Sequence, residues 1–508
     1  MKSGEMGGTQ QEMASPDGGT DRTAPTRILS RIRSRIQAFR EALAGMKTVG
    51  DLLDAIPEDL PEKVAYGLLT LWILSPLFVM ARNLPLPVGD AFDQMLRHSA
   101  TTIFWSTLLW QLGLLGCFTG LLDTARLFRA LRENHPSPRS RLASFARARP
   151  VPVLLLLLLF WSLASALLSN QPGRSLWGDP YRRDGFLTYL AYAGLFSCGL
   201  LVRSQERRHR LMTRLAGVAT GLAILSLLPA WPILERVGIR SGMGVFMNTN
   251  HFAYYLGLSI PAALLLILSD REHRSPARAN RLPVRVSRLL WLVAFGIQSA
   301  ALVNNGSLGP YLAVVIALAA AGVLLRFGGE RGSVRQLLPA YGLFLAVTMA
   351  ETLLKSGLSM DMSMLLNDTG LILAGSDAAG AAGSGRWILW VRALDFVAER
   401  PLFGFGPDNL GARYALEGIG IDRPHNEVLQ VAASLGIPAL LLYLSALAVH
   451  VRRFFLRLGR LPVSTRLLFA ALAAYLLSSL TGNSMYYTTP FFFLALGLSV
   501  GLLEEVPS

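Results

Sequence analysis

Apolar runs of roughly twenty residues recur from about residue 64 to residue 503, separated by short polar connectors. A helix rises about 1.5 Å per residue, so such a run matches the roughly 30 Å hydrocarbon core of a bilayer. The pattern predicts about twelve spans: 64–81, 99–122, 151–169, 185–202, 212–231, 250–269, 289–303, 308–325, 338–354, 426–449, 466–482 and 489–503. In hydrocarbon every backbone N–H and C=O must be satisfied within its own segment. The expected fold class is therefore all-α, a polytopic integral membrane protein. The first run starts near Val64 and is long enough to span, so no cleavable signal is expected.

Loop charge orients the spans. Alternate loops at 123–150, 203–211, 270–288, 326–337 and 450–465 are rich in arginine. The intervening loops 304–307 and 483–488 hold none, and 232–249 holds Arg236 and Arg240. The excess of positive charge on one side places both termini in the cytoplasm. Residues 1–62 then form a cytoplasmic tail, and 63–504 the transmembrane domain. Within the tail, residues 1–24 are Gly-, Ser- and Thr-rich and expected to be disordered. In 27–46, Ile28, Ile32, Ile36, Phe39 and Leu43 recur at helical spacing with Arg31, Arg33, Arg35 and Arg40 between them. This basic amphipathic helix suits the cytoplasmic leaflet, and equally suits packing against the protein's own loops.

The largest extracytoplasmic loop spans 355–425. Its stretch 369–385 is Gly-, Ala- and Ser-rich and expected to be mobile. Residues 386–400 show helical spacing, with Trp387, Trp390, Leu394 and Val397 on one face, ended by Pro401.

Composition agrees with a membrane protein. The chain of 508 residues is 52% hydrophobic and 16% charged, against about 25% charged in soluble domains. The net charge of +15 resides mostly in the short loops, so no nucleic acid partner is expected. Cys117 and Cys198 fall inside spans and read as packing residues. No His pair has metal spacing and no Gly-rich nucleotide loop occurs, so neither metal nor cofactor is expected.

Five polar clusters fall on the outer side: Tyr181 to Gly185, Phe246 to His251, Asn304 to Ser307, Gly385 to Trp387, and Pro424 to Asn426. His425 is the candidate general base, because an imidazole titrates near neutrality and can take a proton from an alcohol. The plainer reading is an interfacial His that caps the next helix or bonds to Glu427 or Asp422. Arg182, Arg183 and Arg386 depart from the charge rule, and a guanidinium grips phosphate oxygens bidentately. Their plainer role is pairing with Asp184, Asp395 or lipid headgroups. His251 is a second boundary His.

His425-Asn426, followed nine residues later by Gly436-Ile437-Pro438-Ala439, resembles a signature of the O-antigen ligase and polymerase superfamily. Gly385-Arg386-Trp387 followed by 401–406, the Asn248-Thr249-Asn250-His251 segment and Arg183-Asp184-Gly185 are similar to its other elements. Two departures stand out. Ala439 replaces the final Gly of the signature, and Ser307-Leu308 stands where many members have Ser-Arg.

The resemblance implies a GT-C-like membrane glycosyltransferase in the bacterial cytoplasmic membrane. It would move a glycan from undecaprenyl diphosphate to a glycan, lipid or protein hydroxyl on the outer face, without metal. His425 and Arg386 would be catalytic, and Arg182, Arg183, Asn248, Asn250, His251 and Asn426 would bind the donor. A transporter or flippase of lipid-linked glycans is the rival from another class. It expects inverted repeats and mid-membrane charges, neither of which stands out.

Overall fold

A computed structural model describes residues 37, 48–84, 86, 91–134, 137–229, 231–269, 283–355, 357–374 and 382–506. They divide into two compact units, 1–58 and 59–508. In the first, Thr48 caps the short helix Val49–Ala55: its hydroxyl accepts from the Asp51 N–H while the Asp51 carboxylate accepts from the Thr48 N–H. The amphipathic helix expected over 27–46 lies outside the described residues, apart from Gln37.

The second unit is helical, and no strand occurs among the described residues. Its main helices begin with α1 (Leu60–Asn83), α2 (Ala91–Asn134), α3 (Pro150–Leu167), α4 (Phe186–Leu201), α5 (Gln205–Leu227), α6 (Thr249–Ser269), α7 (Val284–Asn304), α8 (Leu308–Phe327) and α9 (Arg331–Lys355). Then come α10 (Gly357–Leu373), α11 (Ala382–Glu399), α12 (Leu410–Leu416), α13 (Glu427–Leu435), α14 (Ile437–Arg457), α15 (Val463–Ser479) and α16 (Thr489–Glu505). Among the described residues nine helices are long and apolar enough to cross a membrane: α1, α2, α3, α5, α6, α7, α8, α9 and α14.

Three of the expected spans correspond to shorter helices, α4, α15 and α16. At 16 or 17 residues they cover only about 25 Å. Helix α4 is wedged between α2 and α16 through small residues. A Cβ on Gly194 would run into the Gly113 carbonyl, and one on Gly497 into the Phe196 carbonyl. Such contacts let backbones touch where hydrophobicity alone cannot drive helices together. Helix α6 is buried from His251 to Leu268, as expected of a helix apolar on every side.

The single span expected at 426–449 is two helices. The chain breaks at Gly436, whose φ of 87° is open to glycine. A Cβ there would also meet the Leu402 carbonyl. The connector 401–406 lies against this break. Ile437 N–H donates to Pro401 O (2.8 Å), Phe405 N–H to Ala433 O (3.0 Å) and Gly406 N–H to Ser434 O (2.8 Å).

The region 355–425 is mostly helical, with its own small core of Leu389, Phe396, Phe405, Leu410, Tyr414 and Ala433. Within the stretch 369–385, expected to be mobile, the chain is helical through Leu373 and again from Ala382; 375–381 lie outside the described residues. In α11 the buried stripe is Leu389, Ala393 and Phe396. Leu394, expected on that stripe, is 57% exposed, so the helix is turned from the expected face.

The two ends of the bundle differ in charge chemistry. At one end Arg203 and Arg149 share Asp123, Arg149 reaches Glu504, Arg208 pairs with Glu505, and Arg453 donates to the carbonyls of Arg147 and Ala148. The other end gathers 178–185, 238–249, 401–426 and 480–488.

Candidate active site

Arg423 ties three of those segments together. It is 2% exposed, and its Nη1 donates to Asp184 Oδ2 (2.8 Å) and the Ser484 carbonyl (2.9 Å). Its Nη2 donates to Asp408 Oδ1 (2.9 Å). Burial opposes the charge, but Asp184, Asp408 and Asp422 hold the guanidinium well above its ordinary value. Asp408 also accepts from the backbone N–H groups of Asp179 and Asp184. Burial still pushes its carboxyl up to about 6, against the pull of Arg423.

Among the described residues, four other than glycine have positive φ: Arg183 (52°), Met247 (58°), Asp408 (57°) and His425 (52°). All four lie at this end. A left-handed conformation costs a non-glycine residue about 1–2 kcal/mol, and such strain persists only where the surroundings over-determine it. The ion pairs of Arg423 supply that constraint to Asp408 directly. They also brace Arg183 and His425, each one or two residues from a paired group.

His425 is half-buried at the start of α13. Its Nδ1 lies 3.4 Å from Asn483 Nδ2. Burial, then the charges of Arg386, Arg182 and Arg423, lower its pKa to about 4, with Asp422 opposing them. The imidazole is therefore neutral at neutral pH, with a lone pair on one ring nitrogen. Glu427 does not orient it: Glu427 turns away and accepts from the Tyr443 hydroxyl (2.8 Å).

The three arginines singled out in the sequence behave differently. Arg182 is committed to a bidentate pair with Asp422, at 2.6 and 3.0 Å. Arg183 lies over the Trp110 ring at 4.5 Å, a cation–π contact. Arg386, on the first turns of α11, has no ion-pair or hydrogen-bond partner among the described residues. Asp395 pairs with Arg392 instead. Arg386 is near enough for its charge to act on both His425 and Tyr254.

The asparagines do structural work. Asn248 Oδ1 accepts from the Asn250 N–H (2.9 Å) as α6 begins. Asn426 caps α13 by accepting from the Leu429 N–H (3.1 Å), and its Nδ2 donates to Leu480 O. Asn250 is part-buried on the first turn of α6. His251 is buried, with Nδ1 3.3 Å from Thr488 Oγ1, and packs edge-on against Tyr254 and Tyr487. Asn305, from the tight turn between α7 and α8, donates to the carbonyls of Gly242 and Thr249 and so fixes the segment leading into α6. Among the described residues no group of three or more His, Cys, Asp or Glu gathers as metal ligands.

Sequence reasoning missed Arg423, Asp408 and Asn483. Arg423 carried a signal, being an arginine two residues before His425. Asp408 and Asn483 carried none, since their roles depend on partners far along the chain.

Residues 293–444 match the family model described as O-antigen ligase. That segment includes Arg386, His425 and Asn426, while Arg182, Arg183 and the 248–251 segment lie before it. No curated protein matches the chain.

Proposed function

We propose that this chain, a member of the O-antigen ligase/polymerase superfamily through residues 293–444, transfers a glycan from undecaprenyl diphosphate to an acceptor hydroxyl at the outer face of the cytoplasmic membrane. The observation that carries the reading is the pairing of functions at His425. A neutral imidazole is held in a strained backbone beside an arginine that has no partner among the described residues. The side follows from charge, because the arginine-rich end belongs in the cytoplasm and the His425 end outside.

The acceptor oxygen attacks the anomeric carbon of the donor sugar. The bond from that carbon to the diphosphate oxygen breaks, and the electron pair leaves with undecaprenyl diphosphate. The hydroxyl proton passes to His425, within whose reach the acceptor is held. Arg386 stabilises the charge that develops on the leaving group. Arg183 is the second candidate, since among the described residues its guanidinium lies over an aromatic face and has no ion pair. Arg182 would first have to give up Asp422.

Asn483 positions the base. With the amide as drawn, Nδ2 donates to His425 Nδ1, and Nε2 carries the hydrogen. Turned by a half rotation, Asn483 Oδ1 accepts the Nδ1–H and leaves the Nε2 lone pair free for the acceptor. The second arrangement is the competent one.

The test uses purified protein in nanodiscs with lipid-linked glycan from the native host and candidate acceptors. Release of undecaprenyl diphosphate is followed for wild type and His425→Ala. Release by wild type alone supports the assignment. Equal release by the folded variant removes His425 as the base, and no release by either turns the reading toward transport.

A further inference from the structure

Against Arg423 lies a polar cavity of about 430 Å³, bounded by the segments 174–182, 408–411 and 420–430. That volume falls within the roughly 300–1,000 Å³ of small-ligand pockets. Its charged lining is balanced. Arg174 pairs with Asp179 (2.9 Å), Arg182 with Asp422 (2.6 Å) and Arg423 with Asp408 (2.9 Å). An anion entering here meets arginines whose charge is already matched by carboxylates. A neutral ligand rich in hydroxyls can bond to their free edges and leave them intact.

One lining group asks for a hydrogen-bond donor. Gln430 is 3% exposed, and its Nε2 donates to Ser434 Oγ (3.0 Å). Its Oε1 has no partner among the described residues. A buried acceptor left unmatched costs free energy that a ligand O–H recovers. The diphosphate of a glycan donor, esterified at both ends, offers only acceptors at neutral pH and cannot satisfy it, whereas a sugar hydroxyl can. Gly420, on the exposed rim, leaves the mouth open: a Cβ there meets nothing within 4 Å.

We infer that this cavity is a binding site for an uncharged sugar residue, separate from the place of the diphosphate. The inference rests on the proposed transfer reaction only for the origin of that sugar, in the acceptor or the donor glycan.

The test uses the full chain in nanodiscs and saturation-transfer NMR with glucose, galactose, mannose and N-acetylglucosamine. At least one sugar is expected to show transfer that inorganic pyrophosphate does not displace. Gly420→Phe, which fills the rim without a backbone clash, is expected to abolish the signal. Gln430→Leu is expected to weaken binding about tenfold, the size of one lost hydrogen bond. No signal from any sugar, displacement by pyrophosphate, or full binding by Gly420→Phe overturns the inference. Where transfer is measurable, a raised KM in Gly420→Phe for the acceptor alone or the donor alone assigns the sugar to that substrate; unchanged KM for both overturns it. The NMR arm needs no turnover, so this inference and the transfer reading fall separately.

Discussion

Arg423 and Asp184 are 239 positions apart in the chain and 2.8 Å apart in space, both buried. Each is a near neighbour of a residue in strained backbone, His425 on one side and Arg183 on the other. The pair is thus the joint that sets the candidate base and the candidate phosphate ligands in one frame.

Breaking that joint is expected to unfold the site. Removing one partner of a buried pair leaves an uncompensated charge and costs about 3–5 kcal/mol. Asp184→Ala and Arg423→Ala should each lower the melting temperature in detergent markedly, while Arg182→Ala, at a part-exposed pair, should lower it less. Equal, small shifts in all three would show that the joint contributes little.

The acid limb of kcat/KM should lie low. His425 is held at about 4 by burial and by Arg386, so the base stays neutral until the pH falls near that value. Arg386→Ala removes a cation and should move the limb upward, toward the ordinary His range near 6.5. Stability follows the same group. Between roughly pH 6.5 and 4 the unfolded chain takes up a proton at His425 that the native state refuses, so stability falls as pH falls through that window. His425→Ala should flatten this part of the profile of melting temperature against pH.

Arg386 should be intolerant of lysine. Two oxygens gripped in a plane need a guanidinium, and an ammonium supplies only a point charge. Arg386→Lys is expected to slow carrier release by about ten- to a hundredfold, near the lower range for loss of an oxyanion donor. Binding of the acceptor should be unchanged. Wild-type release would assign the leaving group to Arg183.

Asn483 should matter through the imidazole. Asn483→Asp places a carboxylate at Nδ1, which favours the imidazolium and should raise the acid limb while retaining transfer. Asn483→Leu should lower kcat about tenfold or more with little change in KM. An unshifted limb in Asn483→Asp would place this contact outside the reaction.

Much of the architecture was legible because a bilayer imposes one simple rule on sequence. Runs near twenty apolar residues mark helices, and arginine marks one end of them. What escaped was set by tertiary contact. α4 is slightly shorter than its apolar run suggested and is enclosed by neighbours on two sides. The break at Gly436 was hidden because glycine and proline occur within many membrane helices. At the site, His425 and Arg386 could be named from chemistry and from the resemblance. Arg182 could not be set aside by sequence, since its carboxylate partner lies 240 positions away. Asn248 and Asn426 read as ligands and are found capping helices, a duty that suits the same short polar side chain.

The break at Gly436 has a mechanical meaning. Because the 401–406 connector is hydrogen-bonded onto the last turn of α13 and onto the first residue of α14, the root of the 355–425 helical region and the helix that begins beside His425 form one lever. Under the proposed reaction, a glycan pressing on Pro401 or Phe405 would push on α13 as well, so the arrival of a bulky substrate would be felt at the imidazole through backbone alone.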